Sequence, residues 1–425
     1  MKILVITRNA WDDTNAIGNT ITNFFSGIED TEFASIYFRA TTPNNKLCDN
    51  YFQTSEIEVL KKWFNAKEIG NHFYLDADTR LSQETKVARN EKKFIRVIQK
   101  YGIKLAYKLS DYVWYSEKWM NSNLKEFIDT FAPDLVFTFV KSAPQYYLSV
   151  KYLQENYDIP LFTWIADDEY TGLLKNKAYK QISNLNYILR SSSLVKGCSE
   201  QICDYYNSIF DCKATPLYKS CDLSTPVKEK KDKSIRIVYA GNLLYGRLEI
   251  ICKISDLLER YSQNGNEYCL DIYSNTALLD SEIKKYFENK KHTNYIGKRE
   301  YELIKDSLSR ADLVLHVESF EESQIIKTKY SFSTKIIDYM QSGSTVLAIG
   351  PKTIASMDYL SHIPGVYIID NLENLNVELS KVLEDREYFY ERAQKTRDFA
   401  KMYHDSSVIG SGLKAELCQI STGGV

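Results

Sequence analysis

Apolar residues in this chain gather in short unbroken runs, separated by longer stretches of helical character. In the first half, KILVIT (2–7), FASIYF (33–38), DLVFTFV (134–140), PLFTWIA (160–166) and SLVKGC (193–198) read as strands. SAPQYYLSVKYLQENY (142–157), between two of them, has a helical pattern. A second series starts at 235: IRIVYAG (235–241), YCLDIYS (268–274), TNYIG (293–297), ADLVLHV (311–317), STVLAIG (344–350) and GVYIID (365–370). Continuous aliphatic strands alternating with helices predict parallel sheets covered on both faces. Between the two series lies LSTPVKEKKDKS (223–234), polar, lysine-rich and broken by a proline, which reads as a linker. The expectation is an α/β protein of two doubly wound, Rossmann-like domains. Such domains leave a ligand cleft at the carboxyl ends of their strands.

The segment from about 41 to 132 interrupts the first series and is expected to be a helical, basic insertion. From Glu84 to Lys108, the bases Lys86, Arg89, Lys92, Lys93, Arg96, Lys100, Lys104 and Lys108 stand against only Glu84 and Glu91. Tyr112, Trp114, Tyr115 and Trp119 follow. Two readings of 84–120 fit: a solvated lysine face over an ordinary core, or a peripheral contact with an anionic membrane.

Length and composition narrow the class. With 425 residues, 44% hydrophobic and 26% charged, the chain is long enough for two globular domains. A formal net charge of −2 gives no reason to expect a nucleic-acid partner. The opening MKILVITRNAW reads as a strand rather than a signal peptide, and no run reaches the ~18 apolar residues of a membrane span. The eight cysteines form no C-x-x-C pair, so free thiols in a reducing cytoplasm are expected. Asp76-Ala77-Asp78 has the D-x-D form of a divalent-cation motif, but a polar turn is the expectation. His72, His292, His316, His362 and His404 are isolated in sequence and read as structural.

Two stretches carry candidate chemistry. In YSFSTKIIDYMQSGSTVLAIG (330–350), Ser333, Thr334 and Lys335 open a helix that Gly343 ends. A helix start offers unpaired N–H groups and a positive dipole end to a phosphate. Asp338 lies roughly 7 Å further along the axis, within reach of a ribose when the diphosphate sits at the tip. The competing reading is a capped core helix with an exposed aspartate. In VYAGNLLYGRLEIICKI (238–254), Gly241 ends a strand, Asn242 to Gly246 form a loop, and Arg247 opens the next helix. A residue without Cβ admits close backbone approach, and arginine clamps phosphate oxygens in pairs.

These stretches resemble the nucleotide-sugar domain of family 4-type glycosyltransferases with the GT-B fold. The resemblance extends in order through MKILVIT…IGNTITNF, PDLVFTFV…IPLFTWIADDEY, SLVKGCSEQICDYY…TPLYKSCDL and RAQKTRDFAKMYHDSSVIGSGL. It covers nearly the whole chain outside 41–132. It implies an N-terminal acceptor-side domain (1–222), a linker (223–234), a nucleotide-sugar domain (235–400) and a C-terminal helix (401–425) packing back on the first domain.

By position, the resemblance puts Asp338 at the donor ribose, Ser333 and Thr334 at the diphosphate, and Arg247 as phosphate clamp; Lys335, Gly241 and Asn242 join the candidate nucleotide site from the reading of the two stretches themselves. Gly297 and Lys298 fall beside the base, and Gly18 in the loop that approaches the donor. The family's first signature acid is replaced by Tyr330, and Glu318, Glu321 and Glu322 are the upstream acids that could serve the donor sugar in its place. The lysine expected shortly after Arg247 is absent. For an inverting reaction, Asp167, Asp168 or Glu169 in WIADDEY would be the base; loop capping is their other reading.

The implied activity is metal-independent transfer of a hexosyl group, with retention, from a nucleotide sugar to a saccharide or lipid-linked acceptor. The implied setting is cell-surface polysaccharide synthesis at the inner face of the cytoplasmic membrane. A nucleotide-sugar epimerase of the same fold, and a non-catalytic sugar- or nucleotide-binding protein, are the alternatives.

Overall fold

A computed structural model describes residues 1–56, 58–60, 69–75, 111–224, 226–227, 234–262, 267–276 and 280–422. Asp76, Asp78 and most of the basic stretch (84–110) lie outside the described residues. The chain divides into two compact units: Met1–Leu217 together with the chain from Gly410 onward, and Tyr218–Ile409.

The first unit is built on a sheet ordered β4-β3-β2-β1-β5-β6-β7-β8. Its strands are β1 (Lys2–Thr7), β2 (Glu32–Tyr37), β3 (Asn50–Gln53), β4 (Asn71–Tyr74), β5 (Leu135–Phe139), β6 (Leu161–Ile165), β7 (Leu194–Gly197) and β8 (Thr215–Pro216). All pairs are parallel except β3 with β4. Ile3 to Ile6 are completely buried, as an unbroken aliphatic strand between two helical layers must be.

The segment expected to be a helical insertion differs from that expectation. It contributes β3 and β4 to the sheet edge and the helix Ser122–Phe131 that leads into β5. The strands NYFQ and NHFY are four residues each and mix aromatic with polar side chains, so they carry no aliphatic run. The aromatics do the packing: Tyr51 and Phe73 stack at 5.6 Å, and Phe52 lies 5.4 Å from Phe127. Trp114 and Trp119, read as possible membrane neighbours, are buried against Phe38. The carboxy-terminal helix Ser406–Ser421 runs into this unit, where Glu416 pairs with Lys196 at 2.6 Å.

The second unit holds six parallel strands: β9 (Ile235–Ala240), β10 (Tyr268–Tyr273), β11 (Thr293–Tyr295), β12 (Leu313–Val317), β13 (Thr345–Ile349) and β14 (Tyr367–Ile369). Their order is β11-β10-β9-β12-β13-β14. Counted within the unit this is 3-2-1-4-5-6, the doubly wound order, and it reverses direction between β9 and β12. Alternate residues of the central strands feed two separate cores. Ile237, Tyr239, Leu313, Leu315 and Val317 pack on one face; Val238, Ala240, Val314 and Ala348 pack on the other, with Ile336, Ile337 and Met340. Among the described residues no helix is long and apolar enough to cross a membrane.

Candidate donor site of the second unit

The order reversal decides where a ligand can sit. Adjacent strands whose connections leave to opposite sides open a crevice beyond their carboxyl ends. Here those ends are Ala240 of β9 and Val317 of β12, and the residues that follow them are Gly241-Asn242 and Glu318-Ser319.

Arg247 fills this position. It is the first residue of the helix Arg247–Ser262, reached through a loop that turns at Tyr245 (φ 57°) and Gly246 (φ 75°). The glycine is needed for more than its dihedral, because a Cβ there would stand 2.4 Å from Ser319 Oγ. The guanidinium donates from Nη2 to both carboxylate oxygens of Glu318 at 2.8 and 2.9 Å. Nε donates to Val317 O at 3.1 Å, and Nη1 to Asn242 Oδ1 at 2.9 Å. The arginine is therefore held by both strand ends at once. Tyr239 Oη, donating to Asn242 O at 2.6 Å, fixes the loop that presents the asparagine.

Glu318, read from the sequence as an acid for the donor sugar, has both oxygens on Arg247 and is buried. That placement follows from its position one residue past a central strand, where the chain is still covered by both helical layers. Burial pushes its carboxyl up from the ordinary range, and Arg247 and Lys335 pull it back down. Tyr330 is half-buried, with Lys329 Nζ 5.2 Å from its ring centre.

The second anion-ready element is the helix Lys335–Ser342. Thr334 precedes it, no side chain caps it, and Gly343 (φ 75°) ends it. Ser333 N–H donates to Ser356 Oγ at 2.9 Å, which anchors the helix start to the helix Ala355–Ser361 that follows β13. The Lys335 ammonium is half-buried and makes no hydrogen bond or ion pair among the described residues; burial lowers its basicity, and the nearby Arg247 lowers it further against the pull of Asp338 and Glu318. Asp338 is half-buried rather than exposed, and its Oδ1 accepts from Tyr301 Oη at 3.0 Å. Burial raises the Asp338 pKa, while Lys219, Tyr301, Lys335 and Lys305 oppose the rise.

The second unit thus brings Arg247, Asn242, Lys335 and Asp338 into one electrostatic neighbourhood, with Glu318 inside it. Gly241 donates its N–H to Tyr273 O at 3.0 Å, and a Cβ there would meet Tyr239 Oη at 2.6 Å. Gly297 takes φ 75° at the turn after β11, and Lys298 beside it is exposed.

Four sequence candidates belong to the first unit. Gly18 lies in the helix Ala16–Phe25, with its Cα pressed on the Asp12 backbone and its N–H donated to Asn15 Oδ1 at 2.9 Å. Asp167 is exposed, 3.8 Å from Lys141 Nζ. Asp168 Oδ1 accepts from Thr171 N–H at 3.2 Å, a capping contact for the short helix Tyr170–Lys175. The neighbouring Glu169 is the better-held carboxylate, with Lys141 at 3.0 Å and Ser142 N–H at 2.9 Å.

Sequence reasoning missed Tyr301, Lys219 and His316 as neighbours of the site. His316 had a legible signal: it is the one imidazole set inside an otherwise aliphatic strand, two residues before Glu318.

Comparison of the sequence with known protein families gave no match, and comparison with curated proteins gave none either. Solved structures do match along the whole chain. Sucrose-phosphate synthase from Thermosynechococcus elongatus aligns at a TM-score of 0.62 and 10% identity, over 100% of both chains. Anabaena HepE in complex with UDP aligns at 0.60 and 12% identity, over 99% of this chain and 100% of that one. WaaG, a glycosyltransferase involved in lipopolysaccharide biosynthesis, aligns at 0.57 and 12%, again over 99% and 100%. At such identities the likeness is one of fold. Two doubly wound α/β units in succession, matched over their full length by these enzymes, give the chain the GT-B fold.

Proposed function

We propose that this protein is a glycosyltransferase that moves a hexosyl group from a nucleotide-diphosphate sugar to a saccharide or lipid-linked acceptor, with retention. The observation that carries the reading is the placement of Arg247 at the strand-order reversal, with the ammonium of Lys335 beside it and Asp338 one turn along the same helix. Breaking the sugar–phosphate bond leaves negative charge on the diphosphate, and fixed cations in a poorly solvated site stabilise that charge as it develops. Arg247, Lys335 and the uncapped helix start supply it. Asp338 keeps one carboxylate oxygen free of Tyr301 and can accept from ribose hydroxyls. Support also comes from the full-length fold match to enzymes such as HepE, whose structure contains UDP.

The test is a thermal-shift panel of UDP, GDP, dTDP and ADP on the wild type and Asp338→Ala. A nucleotide at a hundred times its Kd adds about 2.7 kcal/mol to the unit that binds it. In a unit of this size that is a rise of roughly 5–11 °C. No rise with any nucleotide, or an equal rise in Asp338→Ala, refutes the site. Binding without transfer from the matching nucleotide sugar, across saccharide and lipid-linked acceptors, refutes the activity and leaves a binding protein.

A further inference from the structure

The reading above leaves a buried pair without a task. Glu318 is 2% exposed, and His316, two residues earlier, is 3% exposed. The two-residue period of β12 puts both on the face covered by the helix Lys335–Ser342. His316 Nε2 lies 3.5 Å from Glu318 Oε1, too far for a good hydrogen bond, and is a buried nitrogen with no hydrogen-bond partner among the described residues. An orphaned polar atom in a core is costly unless another state of the site satisfies it.

Such a state exists. With Glu318 ionised, both its oxygens accept from Arg247 Nη2, and His316 Nε2, in the tautomer that carries its proton on Nδ1, has a lone pair with no donor among the described residues. With Glu318 protonated, its O–H can be donated to a neutral His316 Nε2 after a small closing movement from 3.5 Å, and that nitrogen gains a partner. The cluster can therefore exchange one proton with solvent when an anionic ligand replaces, at Arg247 Nη2, the oxygen that turns to His316. What holds the ionised form is the charge of Arg247 and Lys335, the two cations that a diphosphate would use.

We propose that binding of a nucleoside diphosphate is coupled to uptake of one proton by Glu318, which passes from a carboxylate on Arg247 to an acid hydrogen-bonded to His316. The proposal rests on the donor-site reading. The proton comes from solvent, no covalent bond changes, and the site gains one unit of positive charge as the anionic ligand enters. Glu318 acts here through Arg247, so it is a positioning residue.

The groups facing Glu318 are few. They are Arg247 from the helix after β9, Tyr239 from β9, His316 from its own strand, and Lys335 and Tyr339 from the helix Lys335–Ser342. Asp338 and Lys219 act one step further out, on Lys335. The loop after β13 approaches through Gly350, which has nothing to titrate. Both phenols are committed elsewhere, Tyr239 to Asn242 O and Tyr339 to Ala240 O at 3.1 Å. His316 is held neutral by burial and by the two cations, which push its pKa down to about 3.

The experiment is titration calorimetry with whichever of UDP, GDP, dTDP or ADP gives the largest thermal shift. It is run in two buffers of different ionisation enthalpy between pH 7 and 8.5, on wild type and Glu318→Gln. The ligand's own ionisation is common to both proteins, so their difference isolates Glu318. Wild type should take up about 0.5–1 proton more than the variant, and its Kd should rise about three- to tenfold per pH unit while the variant's stays nearly flat. Equal proton counts and equal pH slopes overturn the inference and leave the donor site standing. If no nucleotide binds at any pH, the donor-site reading itself fails. Should Glu318→Gln not fold, His316→Phe carries the test, since it keeps the Arg247–Glu318 pair and removes the acceptor. Proton uptake should then fall by at least half, and unchanged uptake overturns the inference.

Discussion

Replacing Arg247 with leucine should destabilise the second unit by an amount that depends on pH in a calculable way. The guanidinium is the partner of both Glu318 oxygens, and it also bonds Val317 O and Asn242 Oδ1. Without it, a buried carboxylate has no counter-charge, a loss that generally costs about 3–5 kcal/mol. Protonation sets a ceiling on that cost. Neutralising a carboxyl of ordinary pKa near 4.3 takes about 3.7 kcal/mol at pH 7 but only about 1 kcal/mol at pH 5. The two lost hydrogen bonds from the guanidinium to Val317 O and Asn242 Oδ1 add about 1.5 kcal/mol each at either pH. The sum is about 7 kcal/mol at pH 7 and about 4 kcal/mol at pH 5, or roughly 14–28 °C and 8–16 °C in melting temperature.

The sign follows from linkage. In the variant the folded pKa of Glu318 lies above the unfolded value, so its contribution is fully present below the unfolded pKa and is lost as pH rises through the folded one. Melting curves of wild type and Arg247→Leu at pH 5, 6 and 7 measure the difference. The double variant Arg247→Leu/Glu318→Gln should recover most of the loss at pH 7 and little at pH 5. A loss that is the same at both pH values, or that the double variant does not relieve, refutes the account of Glu318 as a buried charge held by Arg247.

Lys335 should behave in the opposite way, because its ammonium makes no hydrogen bond among the described residues and burial already works against it: Lys335→Met should leave the melting temperature within about 2 °C of wild type. Nucleotide binding in that variant, measured by calorimetry at low salt, should weaken about tenfold or more, the loss of one charge-assisted contact. His404 Nδ1 donates to Lys219 O (3.1 Å) and Nε2 bonds Tyr359 Oη, and burial pushes its pKa down to about 4. Its folded pKa lies below the unfolded value near 6.5, so stability is complete above that pH and falls toward pH 4 by up to about 1.4 kcal/mol per pH unit. Denaturant melts of His404→Gln against wild type should show a shallower acid slope, and parallel slopes would count against the burial argument.

How much of this was legible in one dimension depends on the element. Each aliphatic run became a strand, because an unbroken run of Val, Ile, Leu and Phe has no stable place except between two helical layers. The strands NYFQ and NHFY were not legible. Four residues mixing aromatic and polar types acquire a strand conformation only when a neighbouring edge supplies their hydrogen bonds, as β2 does for β3. Trp114 and Trp119 pointed to a surface in sequence and are buried in the fold, since aromatic rings near lysines look alike whether they meet lipid or a core.

The same division runs through the candidate site. Sequence alone determined that Arg247 would stand at a helix start after a strand, that Lys335 and Asp338 would share one helix a turn apart, and that Gly343 would end it. These are local facts, set by spacing and by glycine's access to the left-handed region. Only the tertiary structure decided that β9 and β12 would lie side by side. That pairing alone brings Arg247 against Glu318, 71 positions later. It turned an acid expected at a sugar into the counter-ion of Arg247, and it set beside them a histidine whose Nε2 has no hydrogen-bond partner among the described residues. Charge interactions fall off over a few ångströms in space and carry no trace in sequence separation, so which charges meet is settled by strand order.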